Sequence, residues 1–156
     1  ARGAVAMCLE GQATSVTIIN RTREKAERIK NDLQKMDMDI PIYVGGLEDF
    51  HLVKPNSVAI QTTSVGMHPH EDASPIFNEE FFQKVDFIVD IIYNPKETVF
   101  MTKGREHQAK VLNGLSMLFF QALKAFEYWT DITLTASQIE WCLHQLETTV
   151  YNNTKN

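Results

Sequence analysis

A chain of 156 residues, 44% hydrophobic and 22% charged, has room for one domain with a sizeable core. Its formal net charge of -5 offers no basic field for general nucleic-acid binding, and no apolar run is long enough to span a bilayer. Cys8 and Cys142 lie far apart, each in an amphipathic helical pattern, which suits reduced thiols in a cytoplasmic protein better than a disulfide framework.

Residues 1–9 read as a helix with no cap in front. Small residues at Ala1, Gly3, Ala4 and Ala6 let it lie close to a sheet, and Gly11 ends it. Ser15-Val16-Thr17-Ile18-Ile19 follows, a short apolar run of the kind that forms a buried parallel strand. It leads straight into Asn20-Arg21-Thr22, with Lys25 on the next helical turn. Open α/β sheets bind ligands at this end of a strand. In dinucleotide-binding folds a carboxylate here receives the adenosine ribose; a 2′-phosphate would repel it, and an Arg accommodates that group instead. Arg matches phosphate in fork geometry and Lys adds a point charge, so Asn20, Arg21, Thr22 and Lys25 point to NADP over NAD. Two plainer roles compete. Asn20-Arg21-Thr22 fits the N-glycosylation pattern, which needs a secreted loop instead of a strand end, and Asn20 or Thr22 could simply cap the helix. Capping and phosphate binding can coexist. Arg2 to Asn20 is about the spacing between a glycine-rich phosphate loop and the ribose-recognising residue, so the first strand and its loop are expected upstream of Ala1.

The helix predicted over residues 23–36 carries a stripe of Ala26, Ile29, Leu33 and Met36. Strands are expected over residues 41–44, 57–60, 86–92 and 110–112, with helical segments over 47–52, 78–83 and 99–108 between them. The alternation predicts an α/β fold, a Rossmann-like doubly wound parallel sheet with flanking helices that lacks its first strand and glycine-rich loop. After the third strand, Gln61-Thr62-Thr63-Ser64-Val65-Gly66-Met67-His68-Pro69 sets three adjacent hydroxyls beside a glycine that permits close backbone approach. Alone, this pattern reads more readily as a polar turn. His68, His70, Glu71 and Asp72 give only a weak metal pattern, and Ser64 lacks the Gly-x-Ser-x-Gly elbow of a hydrolase.

Two helices follow. Residues 115–129 are apolar almost all round, which predicts burial on most sides, as where two domains meet. Gln121 stands alone on that helix, and a buried amide needs partners. The last helix opens on Thr135-Ala136-Ser137-Gln138, a capping-box pattern, and is expected to bury Ile139, Cys142, Leu143, Leu146 and Val150 before fraying from Tyr151.

Four of these elements, in order, resemble the shikimate dehydrogenase family. They are Asn20-Arg21-Thr22; the segment Gln61-Thr62-Thr63-Ser64-Val65-Gly66-Met67, similar to the family's Asn-Ala-Thr-Ser-Val-Gly-Met; Asp90-Ile91-Ile92-Tyr93-Asn94-Pro95; and Gly114 to Gln121 followed by Ala125-Phe126-Glu127-Tyr128-Trp129. The resemblance implies NADPH-dependent reduction of 3-dehydroshikimate to shikimate, in aromatic amino acid biosynthesis. It implies that Asn20, Arg21, Thr22 and Lys25 hold the 2′-phosphate and that Thr62, Thr63, Ser64 and Val65 line the ribose and pyrophosphate. Ile91 and Gly114 would face the nicotinamide, and Tyr93 and Gln121 would reach the shikimate ring. Gln61 and Thr62 depart from the family's Asn-Ala. The family's catalytic Lys and Asp belong to an N-terminal domain outside these residues. No catalytic residue is therefore assigned here, and the chain is expected to be a cofactor-binding fragment that is inactive alone. Residues 1–130 would form the NADP-binding domain, and residues 131–156 a C-terminal helix and tail packing toward the substrate domain. The small-molecule substrate would be shared with that domain; neither nucleic acid nor membrane is expected as a partner, and a homodimer is compatible. The rivals are a quinate/shikimate dehydrogenase using NAD, which calls for an acidic residue near Asn20, and a nucleotide-binding module without catalysis.

Overall fold

The computed structural model describes residues 1–34 and 39–152; Met36, the last residue of the predicted stripe, lies outside them. Helix α1 (Arg2–Glu10) sets Val5 and Leu9, one turn apart, on one buried face. Strand β1 (Val16–Ile19) pairs in parallel with β2 (Ile42–Gly45), Val16 opposite Ile42 and Ile19 opposite Gly45. Helix α2 (Arg23–Leu33) connects them and buries Ala26 and Leu33. A 3-10 helix (Phe50–Leu52) leads to β3 (Ser57–Gln61), α3 (Glu79–Phe82), β4 (Val85–Asp90), α4 (Val99–Glu106) and β5 (Lys110–Leu112). Helices α5 (Leu115–Thr130) and α6 (Ala136–Asn152) close the chain.

The five strands form two parallel sheets, β1-β2 and β3-β4-β5. In a doubly wound order of 3-2-1-4-5-6, these are the pair 3-2 and the trio 4-5-6. Among the described residues no strand pairs with the second edge of β1 or of β3. The expected parallel sheet without its first strand thus takes the form of two pieces.

Each piece has its own core. Val5, Leu9, Ile18, Ala26, Leu33, Ile42 and Val44 pack around the first sheet. Around the second, Phe81, Phe82 and Phe100 meet ring to ring at 5.2–6.0 Å beside Ile88 and Met101. The 3-10 helix joins the two. Its Phe50 ring lies in the second core, its Leu52 carbonyl accepts a long bond from the Thr17 hydroxyl of β1 (3.4 Å), and its Phe50 carbonyl accepts from Lys84 Nζ (3.1 Å).

Several sequence expectations need correction. The fourth strand stops at Asp90, not residue 92, because the Asp90 carboxylate accepts the Ile92 amide hydrogen (3.0 Å) and turns the chain out of the ladder. The 3-10 helix occupies only the end of the helix predicted over residues 47–52. Helix α5 is not buried on most sides: only Leu115 and Leu123 are, while Met117, Leu118, Phe120, Phe126, Tyr128 and Trp129 are exposed. Helix α6 packs against α5, and much of the remaining apolar surface of α5 is exposed. On α6 the predicted stripe of Ile139, Cys142, Leu143, Leu146 and Val150 is half-buried throughout, with no fully buried residue. Tyr151, the expected start of fraying, lies in α6 and is hydrogen-bonded; residues 153–156 of the tail lie outside the described residues. The capping box forms as the pattern predicts, the Thr135 amide donating to Gln138 Oε1 (2.8 Å) and the Gln138 amide to Thr135 Oγ1 (3.4 Å).

Candidate functional site

Every predicted site residue except Lys25 and Gln121 stands at or just beyond the carboxyl end of a parallel strand, where open α/β sheets collect ligands. Those two stand further along the following helices α2 and α5. After β1, the Asn20 amide donates to the Gly45 carbonyl (3.1 Å), and Asn20 Oδ1 accepts the Thr22 amide hydrogen (3.2 Å) in a local turn. Thr22 is the N-cap of α2 by position, yet its hydroxyl makes no capping bond. Arg23 is engaged, pairing with Asp49 at 3.6 Å and donating to the Val44 carbonyl at 3.4 Å. Arg21 and Lys25 are exposed, and neither forms an ion pair or side-chain hydrogen bond among the described residues. One uncommitted guanidinium, one uncommitted ammonium and one uncommitted hydroxyl therefore sit at the start of a helix. This donor set suits a phosphate monoester, and the Thr22 hydroxyl, unused as a helix cap, is available to it.

The loops after β3 and β4 face each other across a cleft of about 490 Å³ lined by Thr62, Thr63, Ser64, Met67, His68, Ile91, Ile92, Tyr93 and Asn94. Gln61, buried at the end of β3, shapes the first wall. Its Oε1 accepts the Thr63 amide hydrogen and its Nε2 donates to the Val65 carbonyl (3.1 Å), while Thr63 Oγ1 accepts the Val65 amide (3.2 Å). The departure from the family's Asn at this position thus keeps an amide that closes the loop on itself. Gly66 follows at φ 92; a Cβ there would stand 2.9 Å from the Ala73 carbonyl oxygen, so both its conformation and its space favour glycine.

Asp90 sets the second wall. Its side chain is fully buried, Oδ1 accepting from the Ile92 amide and Oδ2 from the Thr98 hydroxyl (2.7 Å). Burial pushes its carboxyl above the usual aspartate range, against the pull of these two bonds. Thr98 in turn accepts the Met101 amide as N-cap of α4 (3.3 Å). On the far side, Gly114 donates its amide to the Ile92 carbonyl (2.9 Å), and a Cβ at Gly114 would overlap the Ile91 carbonyl. Only glycine lets α5 begin this close to the loop.

Thr62, Thr63, Ser64, Ile91 and Tyr93 are thus brought together on one cleft, with Val65 on the same loop and Gly114 behind Ile91. Asn20, Arg21, Thr22 and Lys25 form a separate group that does not line it. Nor does Gln121, and the premise of a buried amide is wrong there: Gln121 is exposed on α5. Sequence reasoning missed Gln61 and Asp90 as organising residues and Ile92, Asn94, Met67 and His68 as lining; a lone carboxylate ending an apolar strand was the available signal for Asp90. No lysine, aspartate or glutamate lines the cleft. His68 pairs with Glu71 (2.8 Å) on the exposed loop, and no cluster of three or more potential metal ligands occurs among the described residues. Cys8 and Cys142 are free thiols. No helix among the described residues is long and apolar enough to cross a membrane.

No family model matches the chain. Over 128 residues it is 41% identical to the shikimate dehydrogenase (NADP(+)) of Methanococcus aeolicus, a match covering 81% of this chain and 46% of that protein. Among solved structures it is similar to a chorismate mutase/shikimate 5-dehydrogenase fusion protein from Clostridium acetobutylicum, with TM-score 0.76 and 31% identity over 94% of this chain and 50% of that one. It is likewise similar to a shikimate dehydrogenase solved in complex with NADP+, with TM-score 0.67 and 31% identity over 84% of this chain and 46% of that one. The chain spans about half the length of the curated relatives it matches.

Proposed function

We propose that this chain, which belongs to the shikimate dehydrogenase family, is the coenzyme-holding half of an NADP-dependent oxidoreductase interconverting 3-dehydroshikimate and shikimate. The observation that carries the reading is the uncommitted Arg21 guanidinium at the carboxyl end of β1, beside the Thr22 hydroxyl and the Lys25 ammonium. In this reading Asn20 shapes the turn, and Arg21, Thr22 and Lys25 hold the 2′-phosphate. Thr62, Thr63, Ser64 and Val65 line the ribose and pyrophosphate, and Ile91 and Gly114 back the nicotinamide. Tyr93 and Gln121 reach the substrate ring, and the exposure of both suits a ligand held against a second domain.

NADPH, when bound, supplies the hydride; what these residues contribute is affinity, orientation and one wall of the substrate site. With no lysine, aspartate or glutamate in the cleft lining, the proton on the substrate oxygen would be managed by residues of the other half. We further propose that residues 1–130 form the coenzyme domain and that residues 131–156 pack toward that other half, along with the exposed face of α5. A cytoplasmic enzyme with reduced thiols fits the two free cysteines, and a homodimer is compatible with the reading. Nucleic acid and membrane have no part in it.

The test is Arg21→Ala in the full-length protein. A charge-assisted phosphate contact is worth about 1.5–3 kcal/mol, so NADPH should bind about 10- to 150-fold more weakly, as read by titration calorimetry. Binding of NADH, which lacks the 2′-phosphate, should change less than about twofold. Equal losses for the two coenzymes would refute the assignment.

A further inference from the structure

Three consecutive carbonyls fix the segment of the cleft wall that carries Tyr93. The Ile92 carbonyl accepts from the Gly114 amide (2.9 Å) and the Asn94 carbonyl from the His68 amide (3.2 Å). Between them, the Tyr93 carbonyl accepts from a side chain 58 residues away, the Tyr151 hydroxyl in the last turn of α6 (3.0 Å). The Tyr151 oxygen in turn accepts from Asn113 Nδ2 (2.8 Å), and the same nitrogen donates to the Lys96 carbonyl (2.9 Å). Asn113 Oδ1 accepts the Leu115 amide hydrogen (3.1 Å), tying this cluster to the first turn of α5. The Lys96 ammonium stands 4.9 Å from the centre of the Tyr151 ring and 2.9 Å from the Glu147 carboxylate. One phenol thereby joins the end of the C-terminal helix, the loop after β4 and the residue preceding Gly114.

We propose that Tyr151 is a positioning residue for substrate. Through the Tyr93 carbonyl it holds the 91–96 segment in the conformation that presents the Tyr93 side chain to the cleft, without touching a ligand itself. This rests on the reading of Tyr93 as a substrate contact and extends it to a helix that carries none of the family's motifs. The geometry makes the hydroxyl separable from the ring: Phe keeps the aromatic face beside Lys96 and removes the oxygen that bonds Tyr93 and Asn113.

Tyr151→Phe in the full-length protein is therefore the test, read two ways. Hydrogen–deuterium exchange should speed up about fivefold or more across residues 91–97, while peptides from β1 and α2 stay unchanged. In steady-state assays KM for shikimate should rise about fivefold, with KM for NADP+ and kcat within about twofold of wild type. Unchanged exchange at 91–97 would overturn the proposal. So would faster exchange with an unaltered shikimate KM, or a parallel rise in both KM values, which would mean general loosening. If the wild-type protein turned over no shikimate, the functional reading would fail, and the exchange experiment would still decide whether the latch holds the loop.

Discussion

Asp90 shows how one residue can be structural and electrostatic at once. A carboxylate with no exposed surface is costly unless bonded, and here both oxygens have donors, the Ile92 amide and the Thr98 hydroxyl. Burial still outweighs those bonds, so the folded chain favours the protonated acid more than the unfolded chain does. The sign of the linkage follows. The contribution of Asp90 to stability is complete below the 3.8 of a free aspartate and is lost as pH rises through its elevated folded value. Asp90→Asn removes that titration. The difference in Tm between wild type and Asp90→Asn should therefore move against the wild type as pH climbs from below 3.8 through the elevated folded value, and level off above it. A difference that stayed flat, or moved in favour of the wild type, would mean the bonds dominate and the carboxyl is not raised.

At the scale of elements, the strand–helix alternation was legible because buried parallel strands are short apolar runs and their helices carry a 3.6-residue stripe. Val16 to Ile19 and Arg23 to Leu33 are clear cases. The capping box at Thr135 was legible for the same local reason, since both partners lie within four residues. The group Asn20, Arg21, Thr22 and Lys25, which we propose holds a phosphate, stood out for the same reason, its members being nearly consecutive. Helix α5 was misread because an all-round apolar pattern reports what a helix would bury and not what is there to cover it. The Tyr151 latch was invisible because its partners lie 38 and 58 residues away. Where α5 begins, sequence and structure agree most tightly. Gly114 is its N-cap, and a methyl group there would collide with the Ile91 carbonyl. Backbone cannot give way as a flexible side chain can, so Gly114→Ala should cost about 1–3 kcal/mol by overpacking, read from urea unfolding. It should also weaken coenzyme binding, because either α5 or the loop carrying Ile91 must retreat. A neutral substitution would show that this junction has slack.

The whole molecule is two half-sheets with separate cores, stitched by the 3-10 helix, and beside them a helical pair whose apolar surface is largely uncovered. Tyr128 is 84% exposed, Trp129 79% and Trp141 64%, far beyond the scattered single apolar residues normal for a protein surface. The proposed division of labour accounts for this: about half of each matched relative's length lies outside the match, and no lysine, aspartate or glutamate lines the cleft. The two tryptophans of the chain are Trp129 and Trp141, both on the helical pair, so the chain's tryptophan emission, excited selectively, reports on that surface. The 156-residue chain by itself should emit like a solvent-exposed indole and turn over no 3-dehydroshikimate. Joined to the complementary half in a full-length protein, the same tryptophans should shift their emission to the blue by about 10 nm or more as the face is covered and water leaves it. Trp129→Phe and Trp141→Phe then assign the shift to α5 or α6. If neither tryptophan responds while activity is fully restored, the two halves meet through another surface, and the exposed face of α5 serves some other contact.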